Sequence, residues 1–127
     1  MNALTRQVLV VDDDALIAIA LTMQVEDMGL TVFGSAPTAD RAVELARLHR
    51  PMLVLMDMRL RGAKDGVDAA LIIHATIGSK VIFITGSQEP STMMRIRTDH
   101  PCAILFKPIS SQQLRAAIDA AIGLDVA

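Results

Sequence analysis

The chain has 127 residues, 52% of them hydrophobic, and a formal net charge of −2. That length holds one domain with a real core and is too short for two, and the apolar content excludes a disordered chain. The faintly acidic balance argues against nucleic acid as a partner, no apolar run approaches the ~18–20 residues of a membrane span, and the first six residues lack the apolar core of a signal peptide.

Val8–Val11 reads as a first strand and runs directly into Asp12-Asp13-Asp14. Asp14 stands just before a helical segment, as an N-cap or first-turn charge that suits the helix dipole. In that segment Leu16, Ile17, Ile19, Leu21, Met23, Val25 and Met28 spread around much of the circumference. Two readings follow. Either the helix is wedged between the sheet and the last helix and buries more than one stripe, or part of its apolar surface serves a partner. Gly29 sits where a left-handed C-cap residue belongs, and Leu30–Gly34 is the second strand.

Ala39, Ala42, Val43 and Ala46, at i, i+3, i+4 and i+7, mark a second helix. Leu53–Met56 is the third strand, followed by Asp57, a loop, and a third helix from Gly66 to Ile77 with Gly78 as its C-cap. Val81–Ile84 is the fourth strand, and Pro90 opens a fourth helix that runs to Thr98. Ala103–Phe106 is the fifth strand. Leu114, Ala117, Ile118, Ala121 and Ile122 form the apolar stripe of a last helix, with Ser110 or Ser111 as N-cap. The strand runs are apolar on both faces, which suits a parallel sheet covered on both sides. The pattern is α/β, (βα)5, with right-handed crossovers and three layers. No repeat or linker divides it, so 1–127 reads as one domain with no output domain.

Three side chains or groups invite a function and are read more plainly. Cys102, the single cysteine, cannot form an internal disulfide and suits a reducing cytoplasm. It is read as a small buried residue, with a reactive thiol as the alternative. Met93-Met94 offers either core packing or an adaptable contact surface. His49, His74 and His100 lack metal-ligand spacing and read as surface or helix-end residues.

The polar candidates share one edge. In open parallel sheets ligands bind beyond the carboxyl ends of the strands. Asp12 and Asp13 follow strand 1, Asp57 strand 3, Thr85 strand 4 and Lys107 strand 5. Carboxylates converging on one pocket repel one another unless a cation joins them. Magnesium is favoured, because it binds through one or two carboxylates and shares its shell with a phosphate. Asp57 would then attack phosphorus to give an acyl phosphate, with Lys107 and the Thr85 hydroxyl contacting phosphoryl oxygens.

Val8-Leu9-Val10-Val11-Asp12-Asp13-Asp14, Leu55-Met56-Asp57, Ile84-Thr85-Gly86 and Phe106-Lys107-Pro108 together resemble the receiver domains of two-component signalling, over the whole chain. The resemblance implies a flavodoxin-like sheet of order 2-1-3-4-5. It implies Asp57 as the phosphoacceptor, served by a histidine kinase or a histidine phosphotransfer protein. It implies Mg2+ held by Asp13, Asp57 and the backbone carbonyl of Arg59, with Asp12 acting through water. Thr85 becomes the switch hydroxyl and Lys107 the phosphate-binding lysine, followed by a cis bond to Pro108. Ala15, Leu16 and Ile109 occupy places that dock the phosphohistidine-bearing helices. A downstream protein target is implied, with no nucleic acid and no membrane, and a homodimer is left open.

The chain departs from the family pattern twice. Relatives carry Tyr or Phe three residues before the lysine; here Ile104 stands there, so a rotating aromatic cannot report phosphorylation, and Phe106 reads as packing. The loop Arg61-Gly62-Ala63-Lys64-Asp65-Gly66 is one residue longer than in many relatives. That loop is similar to those of some stand-alone receivers and of receivers fused to histidine kinases, and Phe83-Ile84-Thr85-Gly86 is similar to the Phe-Ala-Thr-Gly of a subgroup of single-domain receivers, with Ile84 in place of Ala. Two other functions are weighed. An aspartyl phosphohydrolase would want a second Asp where Arg59 stands, and a cap domain. A pseudo-receiver that binds without phosphorylation is opposed by the intact set of Asp12, Asp13, Asp57, Thr85 and Lys107.

Overall fold

Strand and helix alternate throughout residues 3–123, which the computed structural model describes. The elements are β1 (Thr5–Val11), α1 (Ala15–Asp27), β2 (Thr31–Ala36), α2 (Ala39–His49), β3 (Pro51–Asp57), α3 (Gly66–Thr76), β4 (Lys80–Thr85), α4 (Pro90–Arg97), β5 (Ala103–Phe106) and α5 (Ser111–Gly123). All five strands are parallel, in the order β2-β1-β3-β4-β5. Four strands are longer than their apolar runs. β1 begins at Thr5 because both its backbone and its side chain are engaged: the Thr5 N–H donates to the Arg50 carbonyl at 2.8 Å, and its hydroxyl donates to the His49 carbonyl at 3.1 Å.

The central strands alternate between two cores. Leu9, Val11, Val54, Met56 and Phe83 point to one face, beneath α2, α3 and Ile96 of α4. Val8, Val10, Leu53, Leu55, Ile82 and Ile84 point to the other, beneath α1 and α5. Period-two alternation thus feeds two dry layers, which is why these runs show no polar face.

Local signals set the helix ends. Asp14 caps α1, its carboxylate accepting from the N–H groups of Leu16 and Ile17. Thr38 caps α2, and Asp65 caps α3 in a reciprocal box with Asp68. At α5 it is Ser110 that caps: its hydroxyl accepts from the Gln113 N–H, and the Gln113 side chain accepts from the Ser110 N–H, each at 3.1 Å. Gly29 and Gly78 both carry φ of +87°, the left-handed ends expected of them.

Three expectations are corrected. Helix α1 buries Ala18, Leu21 and Val25, while Leu16, Ile19 and Met23 remain 78, 56 and 62% exposed. It does not bury several stripes, because it lies over β1 and the edge strand β2 and has α5 on one flank only among the described residues. Cys102 is exposed: it precedes the edge strand β5, and although its N–H donates to the Val81 carbonyl at 2.9 Å, its side chain belongs to neither core. Met94 is exposed as well, whereas Met93 is half-buried beside Ile104 and Phe106 in a groove between α4 and β5. The histidines lie at helix ends or surfaces, but His74 also holds a buried carboxylate, with Nδ1 2.7 Å from Asp99 Oδ1.

Among the described residues, no helix is long and apolar enough to cross a membrane.

Candidate functional site

Parallel register sets the strand ends level, with Val11 beside Met56, Asp57 beside Ile84, and Thr85 beside Phe106. The residue at or just past each end therefore reaches the same place. Asp12 leaves β1 with its N–H donating to the Ala36 carbonyl (3.0 Å), and its carboxylate accepts from the Asp14 N–H (2.9 Å). Asp57 and Thr85 are the last residues of β3 and β4, so each belongs to its strand and does not follow it. Lys107 follows β5, its N–H donating to the Thr85 carbonyl at 2.9 Å, and the Lys107–Pro108 bond is cis.

All five polar candidates come together. Lys107 Nζ lies 3.3 Å from Asp12 Oδ2 and 3.4 Å from Asp57 Oδ2. Carboxylate oxygens of Asp12, Asp13 and Asp57 lie within 4.8 Å of one another. Asp12, Asp57 and Thr85 are buried at the floor of an open cavity of about 660 Å³, and Arg59 lines its wall. Burial pushes the Asp57 carboxyl up to about 6, and the neighbouring Asp12 charge pushes the same way. Lys107 and a hydrogen bond with the Arg59 backbone pull it back without cancelling the rise. Three carboxylates thus face one ammonium group. An oxygen-only donor set with surplus negative charge fits a hard divalent cation, which would relieve the repulsion that Asp57 feels.

The surrounding loops fix Asp57. Gly66 is required by close approach: a Cβ there would lie 2.1 Å from the Asp57 carbonyl oxygen, and the Gly66 N–H donates to the Met58 carbonyl at 2.8 Å. In the loop before it, Gly62 takes φ of +95°, Arg61 reaches the Asp13 carbonyl (3.4 Å), and Lys64 pairs with Asp40 on α2 (3.0 Å).

Sequence reasoning missed Ser87. The Thr85 hydroxyl oxygen accepts from the Ser87 N–H (3.1 Å) and lies 3.4 Å from the Ser87 carbonyl oxygen, so this hydroxyl is engaged by its own loop. The signal was readable: a hydroxyl residue directly before a Gly-Ser-Gln-Glu-Pro loop commonly accepts from the backbone N–H two places on.

Residues 8–119 match the family described as the response regulator receiver domain. The chain is 35% identical over 120 residues to the transcriptional regulatory protein PdtaR of Mycobacterium tuberculosis, covering 94% of this chain and 58% of that protein. It is 32% identical over 117 residues to the phyllosphere-induced regulator PhyR of Methylorubrum extorquens, covering 91% and 43%. The chain spans about half the length of these curated relatives. Among solved structures, the receiver domain of a modulated diguanylate cyclase from Desulfovibrio desulfuricans superposes with a TM-score of 0.88 at 36% identity, covering 94% of this chain and 95% of that one.

Proposed function

The chain belongs to the response regulator receiver family, and from that premise we propose that it accepts a phosphoryl group on Asp57 and thereby switches its contacts with other proteins. The observation that carries this reading is the Lys107 ammonium held between the carboxylates of Asp12 and Asp57, at 3.3 and 3.4 Å, on the floor of one cavity. A lone lysine beside two buried carboxylates is an ordinary ion pair. With Asp13 and Thr85 converging on the same cavity, it is a place prepared for a third anion and a cation.

In the reaction a carboxylate oxygen of Asp57 attacks phosphorus, forming the O–P bond as the P–N bond to a donor phosphohistidine breaks and the imidazole leaves. Asp12, Asp13 and Asp57, with the Arg59 backbone carbonyl, would hold Mg2+, which supplies charge neutralisation around the phosphoryl oxygens. Lys107 then exchanges part of its contact with Asp57 for a phosphoryl oxygen. Thr85 donates its hydroxyl to another once it releases the Ser87 carbonyl. A groove lined by Ile17, Ala20, Leu21, Pro108 and Ile109 shares Ile17 and Lys107 with the cavity, and the exposed Leu16 precedes Ile17 on α1. This apolar surface is read as the seat for the donor's phosphohistidine-bearing helices. With Ile104 half-buried where relatives hold an aromatic, the response passes through Thr85 and the loop after it.

The test is direct. With acetyl phosphate and magnesium, the wild-type chain is expected to gain one phosphoryl group that is labile to base and hydroxylamine. Asp57→Asn is expected to gain none. Equal labelling of that variant at the wild-type rate would sink the assignment.

A further inference from the structure

Helix α4 has little hold on the core. Ile96 is its single buried residue, and its N-cap, Glu89, makes no side-chain capping hydrogen bond. Polar contacts fasten it instead, at two points along α3. At the far end His74 meets the buried Asp99, two residues past the helix, at 2.7 Å. At the end nearest the acceptor, Arg95 forks onto the capped start of α3: its Nε and Nη2 each donate to Asp65 at 3.2 Å, and Nη2 donates to Asp68 at 2.7 Å. Asp65 and Asp68 are the two halves of the capping box that begins α3. The next residue, Gly66, is pressed against the Asp57 backbone.

The same helix is tied to the switch hydroxyl from the other side. Ser87 Oγ lies 3.4 Å from Thr92 Oγ1 on α4, while the Ser87 backbone holds the Thr85 hydroxyl. The contacts form a chain from Asp57 through Gly66, the Asp65–Asp68 box, Arg95, Thr92 and Ser87 to Thr85, and both ends of the chain line the same cavity. We propose that Arg95 is a positioning residue that clamps α4 onto the capped start of α3 in the unphosphorylated state, and that recruiting Thr85 to a phosphoryl group on Asp57 pulls on Ser87 and Thr92 until this clamp gives way.

The two fastenings differ in a way that decides which one moves. The side chain of Asp99 is wholly buried, so breaking its contact with His74 would strand a buried carboxylate. The Arg95 guanidinium and its two partners are each about a third exposed, so water takes over their hydrogen bonds at little cost. The contact of Asp99 with His74 therefore holds, while α4 parts from the capped start of α3 at Arg95. This supplies a route for the signal in a chain whose Ile104 cannot rotate as an aromatic would. It rests on the phosphoacceptor reading, since without a group on Asp57 nothing draws Thr85 away.

A ligand shifts a two-state element by its differential affinity, so removing a clamp that favours the free state tightens binding of the phosphoryl mimic. The experiment compares the full wild-type chain with Arg95→Gln, Arg95→Lys and Asp68→Asn. The readouts are amide exchange across residues 90–97 and the affinity for beryllofluoride in the presence of magnesium. In wild type, beryllofluoride is expected to speed exchange in this helix. In Arg95→Gln, exchange is expected to be fast already, with beryllofluoride bound about fivefold tighter, the low end of usual coupling. Asp68→Asn, which keeps an acceptor for the cap, is expected to behave likewise, and Arg95→Lys to fall between. A merely structural role for Arg95 would lower stability without tightening the mimic. If wild type binds beryllofluoride normally but helix exchange and affinity in Arg95→Gln match wild type, the clamp is overturned alone. If wild type binds no beryllofluoride, the phosphoacceptor reading falls, and the coupling with it.

Discussion

Asp57 illustrates how a single side chain can be costly to the fold and useful to the chemistry. Its carboxyl is raised from 3.8 to about 6, first by burial and then by Asp12. A raised acid binds its proton more tightly in the folded state than in the unfolded one. Its penalty is therefore absent below about pH 4, grows between pH 4 and 6, and is complete above pH 6. In metal-free protein, Asp57→Asn is expected to be more stable than wild type by roughly 1–3 kcal/mol at pH 7.5, at about 1.4 kcal/mol per pKa unit. The advantage is expected to vanish near pH 4. Chemical denaturation at the two pH values, in the presence of a chelator, measures it; an equal difference at both would show that Asp57 carries no such penalty. Lys107 is the counterweight, and its position between two carboxylates came from pairing strand ends, not from any local feature of Phe106-Lys107-Pro108.

At the scale of elements, the β3–α3 junction is the tightest. Gly66 lies against the Asp57 carbonyl, where a methyl group would stand at 2.1 Å. Gly66→Ala is expected to lose at least about 1–3 kcal/mol, the usual cost of overpacking, and to lower the phosphorylation rate by shifting Asp57. Urea melts and acetyl phosphate labelling check the two effects, and wild-type values for both would mean that the helix start yields freely. Helix α1 makes the opposite case. Leu16, at 78% exposure, contributes little to packing. Leu16→Asp is expected to change stability by less than about 0.5 kcal/mol and to leave labelling by acetyl phosphate intact. Transfer from a phosphorylated kinase is expected to slow at least tenfold. Unimpaired transfer would place the donor elsewhere.

For the whole molecule, the charge left unbalanced at one edge of the sheet links metal binding to stability. A cation that binds only the folded cluster raises stability by mass action. Magnesium at a hundred times its Kd is expected to add about 2.7 kcal/mol, seen as a rise in melting temperature that a chelator reverses. Asp13→Asn, which replaces a carboxylate by a neutral amide, is expected to lose most of that rise while melting normally without metal. A full magnesium effect in that variant would remove Asp13 from the ligand set. The sequence by itself determined the alternation of five strands and five helices, because runs apolar on both faces and stripes at helical spacing record burial directly, and caps such as Asp14 and Gly29 act within a few residues. It also placed the polar candidates at one edge of the sheet, since strand ends can be counted along the chain. Only the tertiary structure decided that Lys107 reaches both Asp12 and Asp57, that Leu16 and Cys102 are exposed, and that Arg95 grips the start of α3. These depend on which elements become neighbours and which face lacks one, and contacts between residues some 30 to 95 positions apart leave no periodic mark in the chain.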